Sequence, residues 1–240
     1  MLRWSLLVCI VAAYAAVLPD KLLIGYASWS ECDDKIITAV EDGVNVVMWF
    51  AINLLSNSST GEPLITGGPD LECVKNVQQT LKSKNLPTTH IISIGGWNAP
   101  HPNTSMSVEA VYANWVLWNN NLFDGFDWDV EGNDDVTSPS NTITTEVMDL
   151  MGQMSQLAKR DGFIVSMAPC ESYVDPTTSF FDTSLTHNYP EWEELQPNFN
   201  YHGHNSYTYV MSKYGITERE GGESVATFDV ISVQFYEGYT

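Results

Sequence analysis

Near the middle of the chain the sequence reads Phe123-Asp124-Gly125-Phe126-Asp127-Trp128-Asp129-Val130-Glu131, in which bulky apolar and acidic side chains alternate. A two-residue period is that of a β-strand, whose successive side chains point to opposite faces. It sets Phe126, Trp128 and Val130 on one face and Asp127, Asp129 and Glu131 on the other. The apolar face can pack on helices, so the acidic face points into the protein. Three carboxylates in a buried row repel one another and lose their hydration, which makes them a poor choice for stability alone. The arrangement therefore points to chemistry.

Two chemistries use such oxygens. Hard cations such as Ca²⁺ and Mg²⁺ prefer carboxylates, but acids spaced along a straight strand do not wrap an ion as a loop does. Tyr201-His202-Gly203-His204-Asn205 brings two histidines without cysteine or a paired acid and reads as an ordinary loop, so no metal ligands are assigned. The other chemistry is acid catalysis: neighbouring carboxylates raise the proton affinity of the outermost, Glu131, so that it can donate a proton near neutral pH. This is the favoured reading.

Such a strand needs a scaffold, and the chain alternates strands and helices. Apolar runs predict strands at Leu22 to Ala27, Val44 to Ala51, Ile91 to Gly95, Leu122 to Glu131, Phe163 to Ala168 and Phe228 to Tyr236. Helical stripes lie between them: Ile36, Ile37 and Val40; Leu71, Val74, Val77 and Leu81 after Pro69-Asp70; Val108 to Asn120; and Val147, Met151, Met154 and Ala158. A Gly/Ser/Pro-rich loop separates the second strand from the second helix. Strands separated by helices pair in parallel through right-handed crossovers, which predicts an α/β layer fold. Eight such units make a (β/α)8 TIM barrel with catalytic groups at the C-terminal ends of the strands. Six strands are legible, and Ser172 to Ala226 reads as an excursion inserted on the barrel rim. Sequence reasoning therefore expects either an open doubly wound sheet or a barrel whose last two strands are missing from this chain.

Composition narrows the partners. The chain carries 30 Asp and Glu against 10 Lys and Arg, a formal charge of -20, without the clustered cations that binding a nucleic-acid backbone requires. The same charge favours a monomer acting on an uncharged polymer. Arg3, the apolar run Trp4 to Ala13 and Ala13-Tyr14-Ala15 form a secretory signal over residues 1–15, too short to span a bilayer, so the protein is expected to be secreted and not membrane-bound. The remaining residues, 16–240, form one catalytic domain. With Cys9 removed, Cys32 and Cys73 could pair and Cys170 is left over. Asn57 and Asn103 open glycosylation sequons. Nucleotide-binding glycine fingerprints are absent, and no cofactor is expected.

The acidic strand also supports a resemblance. Asp124-Gly125-Phe126-Asp127-Trp128-Asp129-Val130-Glu131 resembles the DxxDxDxE signature of glycoside hydrolase family 18, the chitinases and their relatives. Ser93-Ile94-Gly95-Gly96-Trp97-Asn98 resembles the family's SxGG third-strand motif, and Met167-Ala168-Pro169 and Gln234-Phe235-Tyr236 resemble its fifth and sixth strands, the latter closest to the plant and fungal branch. The resemblance runs from Leu22 to Tyr236 in order. It implies a (β/α)8 barrel that cleaves β-1,4 links of N-acetylglucosamine polymers with retention. Glu131 would be the proton donor. Asp129 would orient the substrate acetamido group, whose carbonyl oxygen attacks the anomeric carbon, and Asp127 would sit deeper and share the charge of Asp129. Tyr236 would hydrogen-bond the acetamido carbonyl, with Gln234 and Met167 lining the same pocket. Trp97 could stack on a sugar face and Tyr26 could line the floor, although core packing accounts for both equally well.

The family's eighth strand normally ends in a tryptophan that floors the central sugar site, and this chain stops before it. Plant-type relatives pair a cysteine after the fifth-strand motif with one shortly after the sixth; Cys170 fits the first, and its partner would fall beyond Thr240. Three functions follow from the resemblance: a secreted chitinase, an endo-β-N-acetylglucosaminidase acting on N-glycans, and a non-catalytic chitin-binding protein or inactive fragment. The partner the resemblance implies is chitin or N-acetylglucosamine oligosaccharides.

Overall fold

The computed structural model of the chain describes residues 17–135, 137–185 and 203–235. Residues 1–15, read above as a secretory signal, His202 and Tyr236 lie outside the described residues. In chain order the elements are β1(Ile24–Tyr26), α1(Asp34–Glu41), β2(Val46–Ser56), β3(Pro63–Gly67), α2(Leu71–Ser83), β4(Thr89–Gly96), α3(Val108–Asn119), β5(Gly125–Val130), α4(Thr145–Arg160), β6(Ile164–Met167), α5(Ser206–Tyr214), β7(Ile216–Glu218), β8(Ser224–Ala226) and β9(Val230–Ile231). The helices before β6 start where short polar side chains satisfy the first free amides. Asp33, Asp70, Ser107 and Thr144 each accept from a backbone N–H of the first turn that follows.

The main sheet runs β1-β2-β4-β5-β6-β9, parallel throughout, so all six strands expected from the sequence take their places in order. The sheet is curled. In a flat sheet β1 and β5, three strand spacings apart, would stand about 14 Å from one another. Here the Tyr26 hydroxyl of β1 reaches the Asp127 carboxylate of β5. Side chains on the concave face meet across the curl, and lower down Val46, Met48, Ile91 and Ile164 fill it with a small apolar plug. The convex face carries the main core: Trp49, Ile92, Phe126, Trp128 and Val165 pack against helix residues such as Val77, Trp115, Met151 and Ala158.

Two regions depart from expectation. The loop after the second strand is a hairpin: β2 runs on to Ser56 and β3 returns antiparallel to it, turning at Asn57, whose Oδ1 accepts from the Ser59 and Thr60 amides. Within Ser172 to Ala226, α5 packs along α4 as a crossover helix, so this stretch builds part of the helix layer as well as the rim. Tyr209, Lys213 and Tyr214 of α5 all donate to Asp149 Oδ1 on α4, at 3.0, 2.8 and 2.8 Å. Cys32 and Cys73 form a disulfide that ties the loop after β1 to the first turn of α2. No helix among the described residues is long and apolar enough to cross a membrane.

Candidate active site

Asp127, Asp129 and Glu131 are all buried on the concave face at the C-terminal end of β5. The parallel register sets Ser93 and Gly95 of β4 beside Asp127 and Asp129, and Ser166 of β6 beside Asp127. Small neighbours leave the carboxylates room. Gly95 goes further: its φ is +107°, and a Cβ there would stand 2.5 Å from the Asp129 carbonyl oxygen. Only glycine admits that approach of the two backbones.

Asp127 lies deepest. Its Oδ2 accepts from Ser93 Oγ at 3.1 Å and from the Tyr26 hydroxyl at 3.3 Å. Burial pushes its pKa up to about 6, against the opposing effect of the Ser166, Ser93 and Tyr26 hydroxyls. Asp129 is held well above the ordinary carboxylate range, first by burial, then by the charges of Glu131 and Asp127 and by a hydrogen bond shared with Glu131. A proton is thus retained beside Glu131 at pH values where a solvated aspartate has lost it. Gln234, just past β9, bridges the two: its Nε2 donates to Asp129 Oδ1 at 2.8 Å, to Ala168 O at 2.7 Å and, more weakly, to Glu131 Oε1 at 3.4 Å. The Cys170 sulfur lies 3.7 Å from Glu131 Oε2.

These groups open into a cleft of about 490 Å³ lined by Tyr26, Trp29, Phe50, Trp97, Ala168 and Gln234 together with Asp129 and Glu131. Tyr26 leaves part of its ring open to the cleft while its hydroxyl points inward, where burial and the Asp127 charge raise its pKa and keep it protonated. Trp97 follows β4, and its indole N–H donates to Asp134 Oδ1 at 2.8 Å. Asn98 and Asp134 also exchange two hydrogen bonds of 2.8 Å, so the strand-end loop that carries Trp97 is braced on both sides. Trp29 is half exposed and meets Phe50 edge-to-face at 4.3 Å above Gly96.

The structure brings together Tyr26, Trp97, Asp127, Asp129, Glu131 and Gln234. Met167 is a correction. Ser166 shares the inward face with Asp127, so Met167, one residue on and paired with Trp128, is fully buried in the convex core and does not line the cleft. Tyr236 lies outside the described residues. Three contributors escaped the sequence reading. Trp29 carried a weak signal, an aromatic residue three positions past a strand end. His101, whose Nε2 lies 2.6 Å from the Glu131 carbonyl oxygen and must therefore donate to it, carried none. Nor did Tyr207, whose hydroxyl accepts from the Val130 amide at 2.7 Å and donates to the Val130 carbonyl at 3.0 Å. Among the described residues no group of three or more His, Cys, Asp and Glu side chains is arranged to hold a metal ion, and His204 packs edge-on against Phe180.

No family's sequence profile matches this chain, and neither does any curated protein. Solved structures do match in fold. A family GH18 chitinase from Chromobacterium violaceum aligns with a TM-score of 0.55 at 17% identity, over 93% of this chain and 52% of that one. The ChiA C-terminal domain of Legionella pneumophila aligns with a TM-score of 0.53 at 15% identity, over 89% of this chain and 57% of that one. The chain thus spans little more than half the length of these structures. At such identities the likeness is one of fold: an α/β domain with the curled parallel sheet of the GH18 chitinase domains.

Proposed function

We propose that this protein is a secreted glycosidase of the family 18 type that hydrolyses β-1,4 linkages in chitin or its oligosaccharides, and that its curled sheet is part of a (β/α)8 barrel. The observation that carries the reading is the Asp129–Glu131 pair: two buried carboxyls, two residues apart on one strand, share a hydrogen bond and one amide donor inside an aromatic-rimmed cleft. Glycosidases with an enzyme nucleophile flank the sugar with carboxylates on opposite sides. Asp129 and Glu131 stand on the same side, so the attacking group comes from the substrate.

Glu131 gives its proton to the glycosidic oxygen as the bond from that oxygen to the anomeric carbon breaks. The substrate's acetamido oxygen closes on the anomeric carbon, forming an oxazolinium ring and retaining configuration once water opens it. Asp129 accepts the acetamido N–H and stabilises the positive charge of the ring, a role helped by a proton that can shift within the pair. Asp127, fixed by Ser93 and Tyr26, supplies the charge beneath. Tyr236 is assigned to the acetamido carbonyl, while Gln234 and Tyr26 shape the pocket and Trp97 stacks on a sugar face, as aromatic rings do on the apolar faces of pyranoses.

Proton NMR of the mature chain with the N-acetylglucosamine tetramer tests the proposal. New anomeric signals that appear first in the β form, and that fall by about 10³-fold in Glu131→Gln, are the expected outcome, since a positioned acid supplies about 10²–10⁴-fold. Turnover of a high-mannose glycoprotein without turnover of the tetramer would move the substrate to N-glycans. Tetramer binding without any cleavage would overturn the enzymatic reading.

A further inference from the structure

The β5–β6 ladder stops at the level of the catalytic pair. Ala168 N donates to Trp128 O at 2.7 Å, which is an ordinary rung. In a parallel ladder with evenly spaced rungs, the next bond would run from the Val130 amide to the Ala168 carbonyl. That bond is replaced on both sides. The Val130 amide donates to the Tyr207 hydroxyl, and the Ala168 carbonyl accepts from Gln234 Nε2. The Tyr207 hydroxyl then donates to the Val130 carbonyl, so one oxygen satisfies both polar groups of the residue between Asp129 and Glu131.

Tyr207 is built for this place. It is fully buried on α5, and its ring stacks on Tyr173 at 5.7 Å with an interplanar angle of 10°. Its chain position is 77 residues from Val130, so the contact belongs wholly to tertiary structure. A hydroxyl is the smallest side-chain group that both donates and accepts, and it sits where two strands part. Without it the Val130 amide would be buried without a partner, or would close on the Ala168 carbonyl and displace Gln234 from beneath Asp129 and Glu131.

We propose that Tyr207 is a positioning residue that holds β5 and β6 apart by one rung, and so sets the spacing of Asp129, Glu131 and Gln234. The proposal rests on the glycosidase reading for its consequence in turnover, but not for its structural content. Tyr207→Phe deletes only the hydroxyl. We expect kcat on N-acetylglucosamine oligomers to fall by about 10- to 100-fold with KM within about two-fold, since displacements near 1 Å at a catalytic group have effects of that size. Ser155→Ala is the matched control: it removes the hydroxyl that accepts from the Trp128 indole N–H on the convex face of the same strand, at 2.8 Å. It should lower Tm comparably and leave kcat unchanged.

The Gln234 side-chain amide resonances give a readout that needs no activity. They should move in Tyr207→Phe and stay in Ser155→Ala. Should Tyr207→Phe not fold, replacing Val130 by its α-hydroxy acid deletes the amide that Tyr207 accepts, and should reproduce the loss in kcat. Unmoved Gln234 resonances, or equal losses of kcat in the phenylalanine variant and the control, overturn the proposal. A wild-type chain that cleaves nothing overturns the glycosidase reading instead, and the resonances then decide the positioning role alone.

Discussion

On its convex face β5 carries Phe126, edge-to-face with both Trp115 and Trp128, and the polar contact there is neutral: the Trp128 indole N–H donates to Ser155 on α4. One residue over, the concave face carries Asp127, Asp129 and Glu131, whose partners arrive from β1, β4 and the segment after β9. The same strand thus has one face satisfied by packing and a neutral hydroxyl, and one whose carboxylates are held by one another and by groups from three other segments. Burial of the aromatic face stabilises the strand strongly enough for the acidic face to be retained in spite of its lost hydration and mutual repulsion. Stability and reactivity in this region therefore separate by face.

Substitutions can break that separation. The largest expected effect on folding is on the convex side: Phe126→Ala empties a fully buried site between Trp115 and Trp128 and should lower stability by about 3–5 kcal/mol, measured by urea unfolding. Activity per folded molecule should survive this change better than it survives any change to the acids.

On the concave side the sign reverses. Asp127 has a pKa raised from 3.8 to about 6, so the native state binds its proton more tightly than the unfolded chain does. Its contribution to stability is fully present below the unfolded pKa and is lost as pH rises through about 6. Asp127→Asn should therefore raise Tm at pH 7, by at most about 3 kcal/mol of stability, while having little effect at pH 3.5 and lowering turnover at both. A variant destabilised at pH 7 would place the carboxylate among the stabilising groups and erase the contrast between the faces.

The smallest effect is expected at the rim. Asp134→Ala frees the Trp97 indole and the loop that carries it, and should raise KM for oligosaccharides by about three- to five-fold through lost preorganisation, with kcat and Tm nearly unchanged; initial rates over a substrate series would show this.

Much of the scaffold could be read from residue order because local physics sets it. The two-residue period of β5 predicted which side chains face inward, apolar stripes marked the helices α1 to α4, and Cys32 and Cys73 form the pair that the sequence left open to them. Met167 was assigned to the pocket on the resemblance alone, and the phase of β6, set by the pairing of Ser166 with Asp127, turns it to the convex face. Counting outward from the small residues Ser166 and Ala168, which suit a face crowded with carboxylates, would have placed it correctly. The hairpin of β2 and β3 was hidden by reading the whole stretch between Ala51 and Pro69 as one loop, although a turn between two apolar runs also fits a hairpin. Tyr207 and His101 could not be found this way, since each acts on a backbone group far along the chain.

Gly95 and Gly96 stand side by side at the end of β4, both with φ +107°, yet they differ in what a side chain would strike. At Gly96 the obstacles are the rings of Phe50 and Trp29, which a lineage could exchange for smaller groups while the cleft changes shape, although the φ of +107° still reserves the position itself for glycine. At Gly95 the obstacle is the Asp129 main chain, which every amino acid shares, so no second substitution can clear the way. Evolution can therefore reshape the mouth of this cleft by exchanging the rings around Gly96, whereas the main chain against Gly95 offers sequence drift no exit that keeps the acidic strand in place.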